Sequence, residues 1–222
     1  MNPMLQSQGT PAALRLEIDL PSIHLVDDDP RVRTAVARLI GSAGCYRVHA
    51  HDCAEGFLAA FDPEVHGCVI LDVSMPGLGG VGLQHRLLAQ DEQVSIVFLS
   101  GCSEVPVCAD VMRRGAVDFL TKPVDEAMLF SAVERALARD AGFRAQRAQQ
   151  SIASSRMSTL TPREREVLTH VMAGRLNKQI AADIGTAEKT VKVHRARGME
   201  KMGVRSVAEL VRLVERGRVL IA

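Results

Sequence analysis

From Ser22 to Arg139 the sequence alternates short apolar runs with longer stretches of helical spacing, five times over. The strand-like runs are IHLV (23–26), YRVH (46–49), CVIL (68–71), SIVFL (95–99) and AVDFL (116–120). Each precedes a stretch whose apolar residues recur three and four apart, at 30–42, 53–61, 80–89, 105–114 and 125–139. Consecutive β-α units need crossover connections, which place helices on both faces of a parallel sheet. The inner runs are apolar throughout, as strands covered on both sides require. The expectation is a five-stranded, doubly wound parallel sheet over residues 22–139.

The pattern then changes. Residues 140–158, DAGFRAQRAQQSIASSRMS, are rich in Ala, Gln, Ser and Arg with few large apolar groups, and read as a linker able to extend the preceding helix. Over 159–222 every signal is helical. TPRE (161–164) supplies a Thr cap, Pro at the first helical position and Glu three residues after the cap, which together form a capping box. SVAE (206–209) repeats the cap and the Glu. Between them lie a short segment at 177–184, Gly185, which permits a left-handed turn, and a long basic helix at 188–202. Short helix, glycine turn and long basic helix make a helix-turn-helix. The fold class expected is therefore α/β followed by all-α, and 222 residues suit two such cores.

Residues 1–21 lack the basic start and apolar run of a secretory signal and read as a disordered tail. No stretch approaches the roughly 20 unbroken apolar residues of a membrane span. The expected location is the cytoplasm, with no membrane partner. The five cysteines, an odd number with no C-x-x-C pair, suggest buried reduced thiols rather than a disulfide framework or zinc site. Net charge is only +1, but it is unevenly distributed: 22–138 holds 16 acids and 9 bases, and 158–222 holds 13 bases and 7 acids. That asymmetry predicts a basic module for a polyanion beside an acidic module with another task.

Residues 68–77, CVILDVSMPG, end a buried strand in one carboxylate, Asp72. In a parallel sheet, ligands collect beyond the carboxyl ends of the strands. There the other strands deliver Asp27, Asp28 and Asp29, Ser100, and Lys122. Converging carboxylates repel one another unless a cation sits among them, and a hard ion with oxygen ligands, Mg²⁺, fits best. Two cations and a hydroxyl donor around one carboxylate suit an incoming phosphoryl group, whose transfer is mostly positioning and charge neutralisation.

HLVDDDP, VILDVSMPG, FLSG and AVDFLTKP, in this order and spacing, resemble the flavodoxin-like receiver domain of bacterial two-component response regulators across roughly 22–140. The resemblance implies that Asp72 accepts a phosphoryl group from a sensor histidine kinase. It also implies that Asp28 binds Mg²⁺ directly with Asp27 assisting, and that the Ser74 carbonyl completes the protein ligands. Ser100 and Lys122 would then sense the phosphoryl group, Phe119 would change rotamer on activation, and the Lys122–Pro123 bond would be cis. GCSEVP (101–106) departs from the usual loop.

On the helix at 188–202, a 100° step puts Val191, His194, Gly198 and Met202 on one side and Lys189, Lys192, Val193, Ala196 and Arg197 on the other. The first set should pack, and the second is free to enter a major groove. Lys and Arg suit guanine or phosphate, and Val193 and Ala196 a thymine methyl. Lys178 and Thr190 suit phosphate contacts. TPREREVL, NKQIA and TVKVHR also resemble the four-helix DNA-binding domain of LuxR type. Receiver plus this domain resembles the NarL/FixJ response regulators, with wording nearer the FixJ side. That implies a transcription regulator rather than an enzyme. Its partners would be promoter DNA and RNA polymerase, and phosphorylation would favour a homodimer. The stripe Val207, Leu210, Val211 and Val214 could serve core or dimer, with core the better reading for most of it. Two competing readings are a hydrolase with Asp72 as nucleophile, and a DNA-binding protein whose receiver only holds partners together. Haloacid-dehalogenase enzymes carry a second Asp two residues after the nucleophile, and position 74 is Ser.

Overall fold

A computed structural model describes residues 20–90, 93–101 and 105–217, with side chains to 215. The expectations for 1–19, for residues 102–104 of the loop at 101–106, Cys102 among them, and for the last five residues lie outside the described residues.

Five strands form one parallel sheet in the order β2-β1-β3-β4-β5. They are β1 (Ser22–Val26), β2 (Arg47–His51), β3 (Gly67–Asp72), β4 (Ile96–Ser100) and β5 (Asp118–Thr121). Between them run α1 (Pro30–Ser42), α2 (Ala54–Ala60), α3 (Gly79–Ala89) and α4 (Val105–Arg113), and α5 (Glu126–Ser158) follows β5. Alternate strand residues feed opposite faces. Ile23, Leu25, Cys68, Ile70, Val97 and Leu99 pack with α1 and α5 residues such as Ile40, Leu129 and Val133. Val26, Val69, Leu71, Ile96 and Phe98 pack with Phe57, Leu83 and Val111 of α2, α3 and α4. Burying both faces is what makes β3 and β4 apolar up to the Asp72 and Ser100 that end them, with His24 of β1 a buried exception.

The expected linker is helical throughout, because α5 runs unbroken for 33 residues. It is not a bare spacer at its ends: Asp140 is buried against the sheet, Ala153 is buried, and Met157 packs with the residues that follow. There α6 (Pro162–Met172), α7 (Asn177–Asp183), α8 (Glu188–Lys201) and α9 (Val207–Gly217) surround two apolar clusters. The capping box forms: Thr161 Oγ1 accepts from Glu164 N at 3.3 Å, and the Glu164 carboxylate accepts from Thr161 N at 2.9 Å. Lys201 Nζ also donates to Glu164 at 2.6 Å and, with the Thr161 N–H, holds that carboxyl below the usual range. Ahead of α9, Ser206 Oγ accepts from Glu209 N, but the Glu209 carboxylate accepts from Arg205 N instead of the cap itself. Leu210 is fully buried, and Leu213 and Val214 pack beside it, so that stripe serves the core.

The cysteine expectation needs correcting. Of the four described, all unbridged, Cys68 is buried, Cys53 and Cys108 are half-buried, and Cys45 is exposed. Cys68 points into a covered strand face, and burial pushes its thiol up to about 12.

Candidate functional site

The carboxyl ends of β1, β3, β4 and β5 bring Asp27, Asp72, Ser100 and Lys122 to one edge of the sheet. The register places Asp72 opposite Leu99 and Ser100 opposite Thr121. Asp27 is fully buried, Asp72 nearly so, and Ser100 is 2% exposed. Asp28 and Ser74 are exposed beside them. Asp29 stands apart from the cluster in function: it is the α1 cap, its Oδ1 accepting from Arg31 N at 2.8 Å. The turn after β1 thus separates its three aspartates into two that face the site and one that starts a helix.

Lys122 Nζ lies 2.7 Å from Asp27 Oδ2 and 2.9 Å from Asp72 Oδ1. The first contact is a hydrogen bond. The second is close enough for an ion pair but lacks hydrogen-bond alignment, so buried Asp72 Oδ1 has no hydrogen-bond donor. Burial raises the Asp27 carboxyl, an effect that the hydrogen bond and charge of Lys122 only partly offset. For Lys122, burial pulls the ammonium down, but the Asp27 hydrogen bond and the charges of Asp27 and Asp72 outweigh it and the pKa ends raised. The ammonium therefore stays charged. Backbone holds it in place: Lys122 N donates to Ser100 O at 2.7 Å, and the Lys122–Pro123 bond is cis. Arg33 Nη1 donates to the Asp27 carbonyl at 2.6 Å, a brace with no signal in the sequence. Gly80 leaves α3 room against this turn, since a Cβ there would stand 2.0 Å from the Asp72 carbonyl oxygen.

Oxygens of Asp27, Asp28 and Asp72 all lie within 4.8 Å of one another. Three carboxylates against one ammonium leave two negative charges in excess, and Asp72 Oδ1 has the Lys122 charge beside it but no hydrogen bond. A divalent cation that prefers oxygen fits that donor set. Phe119 is half-buried against the cluster that includes Val69, Leu71 and Phe98.

In the helical region, Val191, Gly198 and Met202 are buried. Lys189, Thr190, Lys192, Val193, Ala196 and Arg197 are exposed on α8, and Lys178 is exposed on α7. Val193 is 41% exposed, an apolar side chain with no core to serve. Lys192 pairs with Glu188 at 3.0 Å. Arg195, equally basic by sequence, is held by Asn177, its Nη1 donating to Oδ1 at 3.1 Å. Gly198 is where α8 crosses α6, a Cβ there meeting Leu168 at 3.0 Å. Gly185 adopts the left-handed conformation (φ 64°) that lets α7 turn into α8.

Residues 23–134 match the family of response regulator receiver domains, and residues 158–214 match the luxR family of bacterial regulatory proteins. The chain is 39% identical over 191 residues to the transcriptional regulatory protein FixJ of Azorhizobium caulinodans, covering 86% of this chain and 90% of that one. The chain belongs to the FixJ-like response regulators of the NarL/FixJ family. This response regulator is also 42% identical to the tetrathionate response regulatory protein TtrR of Salmonella typhimurium, over 89% of its own length and 93% of the relative's. In structure it superposes on response regulator StyR with a TM-score of 0.77 and 43% identity, covering 89% of this chain and 99% of that one. On full-length FixJ from B. japonicum the TM-score is 0.53 with 36% identity, covering 90% and 98%. The response regulator is thus a phosphorylation-dependent transcription regulator and not an enzyme; its family implies a histidine kinase partner and DNA binding. Receiver domains typically bind Mg²⁺ at an acidic pocket, and Asp27, Asp28 and Asp72 form such a pocket. Among the described residues, no helix is long and apolar enough to cross a membrane.

Proposed function

We propose that Asp72 is the phosphoacceptor through which a sensor histidine kinase controls promoter binding by α8. One observation carries this: a buried Asp72 oxygen without a hydrogen bond stands 2.9 Å from the ammonium it shares with Asp27, at the sheet's carboxyl edge. A carboxylate oxygen of Asp72 attacks the phosphorus of the kinase phosphohistidine; the P–N bond breaks and its electron pair stays on the imidazole. Lys122 meets the new phosphoryl charge, Ser100 donates to a phosphoryl oxygen, and Phe119 moves with them. Asp28, Asp27, Asp72 and the Ser74 carbonyl would hold Mg²⁺, which supplies charge neutralisation between the carboxylates and the phosphoryl oxygens. Lys189, Lys192, Val193, Ala196 and Arg197 enter the major groove, while Lys178 and Thr190 contact phosphates.

The chain then divides into a receiver at 22–139, a connecting helix at 140–158 and a DNA-binding domain at 159–222. It works in the cytoplasm as a phosphorylation-favoured homodimer that engages RNA polymerase at the promoter. Acetyl phosphate and Mg²⁺ should add one phosphoryl group by intact mass, and Asp72→Asn should add none. A variant phosphorylated like the wild type would overturn the assignment.

A further inference from the structure

The buried face of α5 ends in a charge. Leu129, Ala132, Val133 and Ala136 lie on one stripe against the sheet, and the next residue in that stripe is Asp140, 4% exposed. Its Oδ2 accepts from the ring of His66 and, at 3.2 Å, from Gly67 N. Gly67 has no room for a side chain, since a Cβ there would stand 2.0 Å from the Ser22 carbonyl oxygen. Gly67 opens β3, the strand that ends in Asp72.

The neighbouring contacts repeat the arrangement on β5. Arg139 Nη1 donates to Gly115 O at 2.7 Å, just ahead of β5, and Arg135 pairs with Asp118, its first residue. Lys122 directly follows that strand's other end. So α5 is fastened to the amino ends of the two strands whose carboxyl ends hold Asp72 and Lys122. Beyond Asp140 no α5 residue is buried until Ala153, one turn before Met157 of the second core. At 1.5 Å per residue, that is about 20 Å of uncovered helix.

We propose that Asp140, through His66 and Gly67, is the positioning residue that couples phosphorylation of Asp72 to the DNA-binding helices. A stripe of two large and two small apolar residues is attractive but non-directional, and alone would let α5 slip along the sheet. Directed bonds to a buried carboxylate fix the helix to β3, so a shift of β3 moves α5, and the stiff helix carries that movement onward. A buried polar pair adds little net stability over an apolar substitute, so its effect belongs to position.

The inference rests on the reading of Asp72 as phosphoacceptor, and the test separates the two. DNA duplexes are first selected from a random-sequence pool with the full-length wild-type protein in beryllofluoride and Mg²⁺. Affinity for them is then measured with and without beryllofluoride for wild type, Asp140→Leu, Asp140→Asn and His66→Leu. Acetyl phosphate uptake at Asp72 serves as the control for folding. The expected result is unchanged uptake with the beryllofluoride-induced gain cut at least fivefold in Asp140→Leu and His66→Leu. Asp140→Asn, which still accepts from Gly67 N, should fall between. A merely structural role would lower the unfolding midpoint and leave the ratio of the two affinities alone. Variants with normal uptake and a gain within twofold of wild type overturn the coupling role. A wild type that gains nothing overturns the underlying reading, and the coupling role with it.

Discussion

Lys122 holds two buried carboxylates at once, so removing it should expose what each costs. Lys122→Ala leaves Asp27, fully buried, without its cation. Breaking such a pair destabilises by about 3 kcal/mol. Mg²⁺ should restore part of this, and should stabilise the variant more than the wild type, because it binds the folded state and meets one less competing cation. Urea unfolding in EDTA and in Mg²⁺ checks the difference; equal stabilisation of both proteins refutes it. A second residue-scale prediction concerns His24, stacked on His49 and His51 and edged by Phe57 and Phe61. Burial, with the charges of His49 and His51, pushes its pKa down to about 4. Unfolded, it titrates near the ordinary value of about 6.5. The unfolded chain therefore takes the proton first. This contribution to stability is complete above about pH 6.5, falls as the pH drops, and levels off below about 4. Between pH 7 and 5 the loss is on the order of 2 kcal/mol, and His24→Phe should remove most of it in urea titrations. Asp72 and Lys122 were legible in the sequence because each ends a strand pattern in a charge. Asp140 was not, since the contact that defines its role spans 74 residues of chain.

At the scale of elements, α5 departs most from the sequence reading. Ala, Gln, Ser and Arg over 140–158 offer no continuous apolar stripe, so the segment reads as a connector. Most of these residues nevertheless lose little on entering a helix, and the two packed ends supply the rest. Gly142 lies in the uncovered stretch, and a Cβ there meets nothing within 4 Å. Gly142→Ala should therefore raise stability by about 0.5–1 kcal/mol, measured by thermal unfolding; a loss would mean that the helix needs its glycine. Helix boundaries were predictable where the ends carry chemistry: Asp29 caps α1, Thr161 caps α6, and Gly185 follows α7 in a left-handed turn.

Across the whole molecule, the uneven charge separates two tasks. The acidic first part holds the Asp27, Asp28 and Asp72 cluster, and the basic second part presents Lys189, Lys192 and Arg197 on the exposed arc of α8. Binding through that arc should weaken steeply with salt, as neutralised phosphates release their counterions. Lys189→Ala, Lys192→Ala and Arg197→Ala should each reduce the slope of log affinity against log salt by about 1. Val193→Ala should leave the slope unchanged. Fluorescence anisotropy across a salt series decides this, and an unchanged slope in all three basic variants would remove α8 from the interface.

Local sequence was enough for the alternation of strands and helices, the carboxyl-edge location of Asp27, Asp72 and Lys122, and the buried and free sides of α8. Each follows from a period, a cap or a strand end, all of which act over a few residues. It took the folded chain to show that Lys122 bridges Asp27 and Asp72, that Arg195 is tied to Asn177, and that His24 is buried in a histidine stack. It also decided that α5 is pinned through Asp140 before it leaves the sheet. These depend on which distant side chains share a buried space, and burial sets both the strength of a charge's partners and the cost of lacking one.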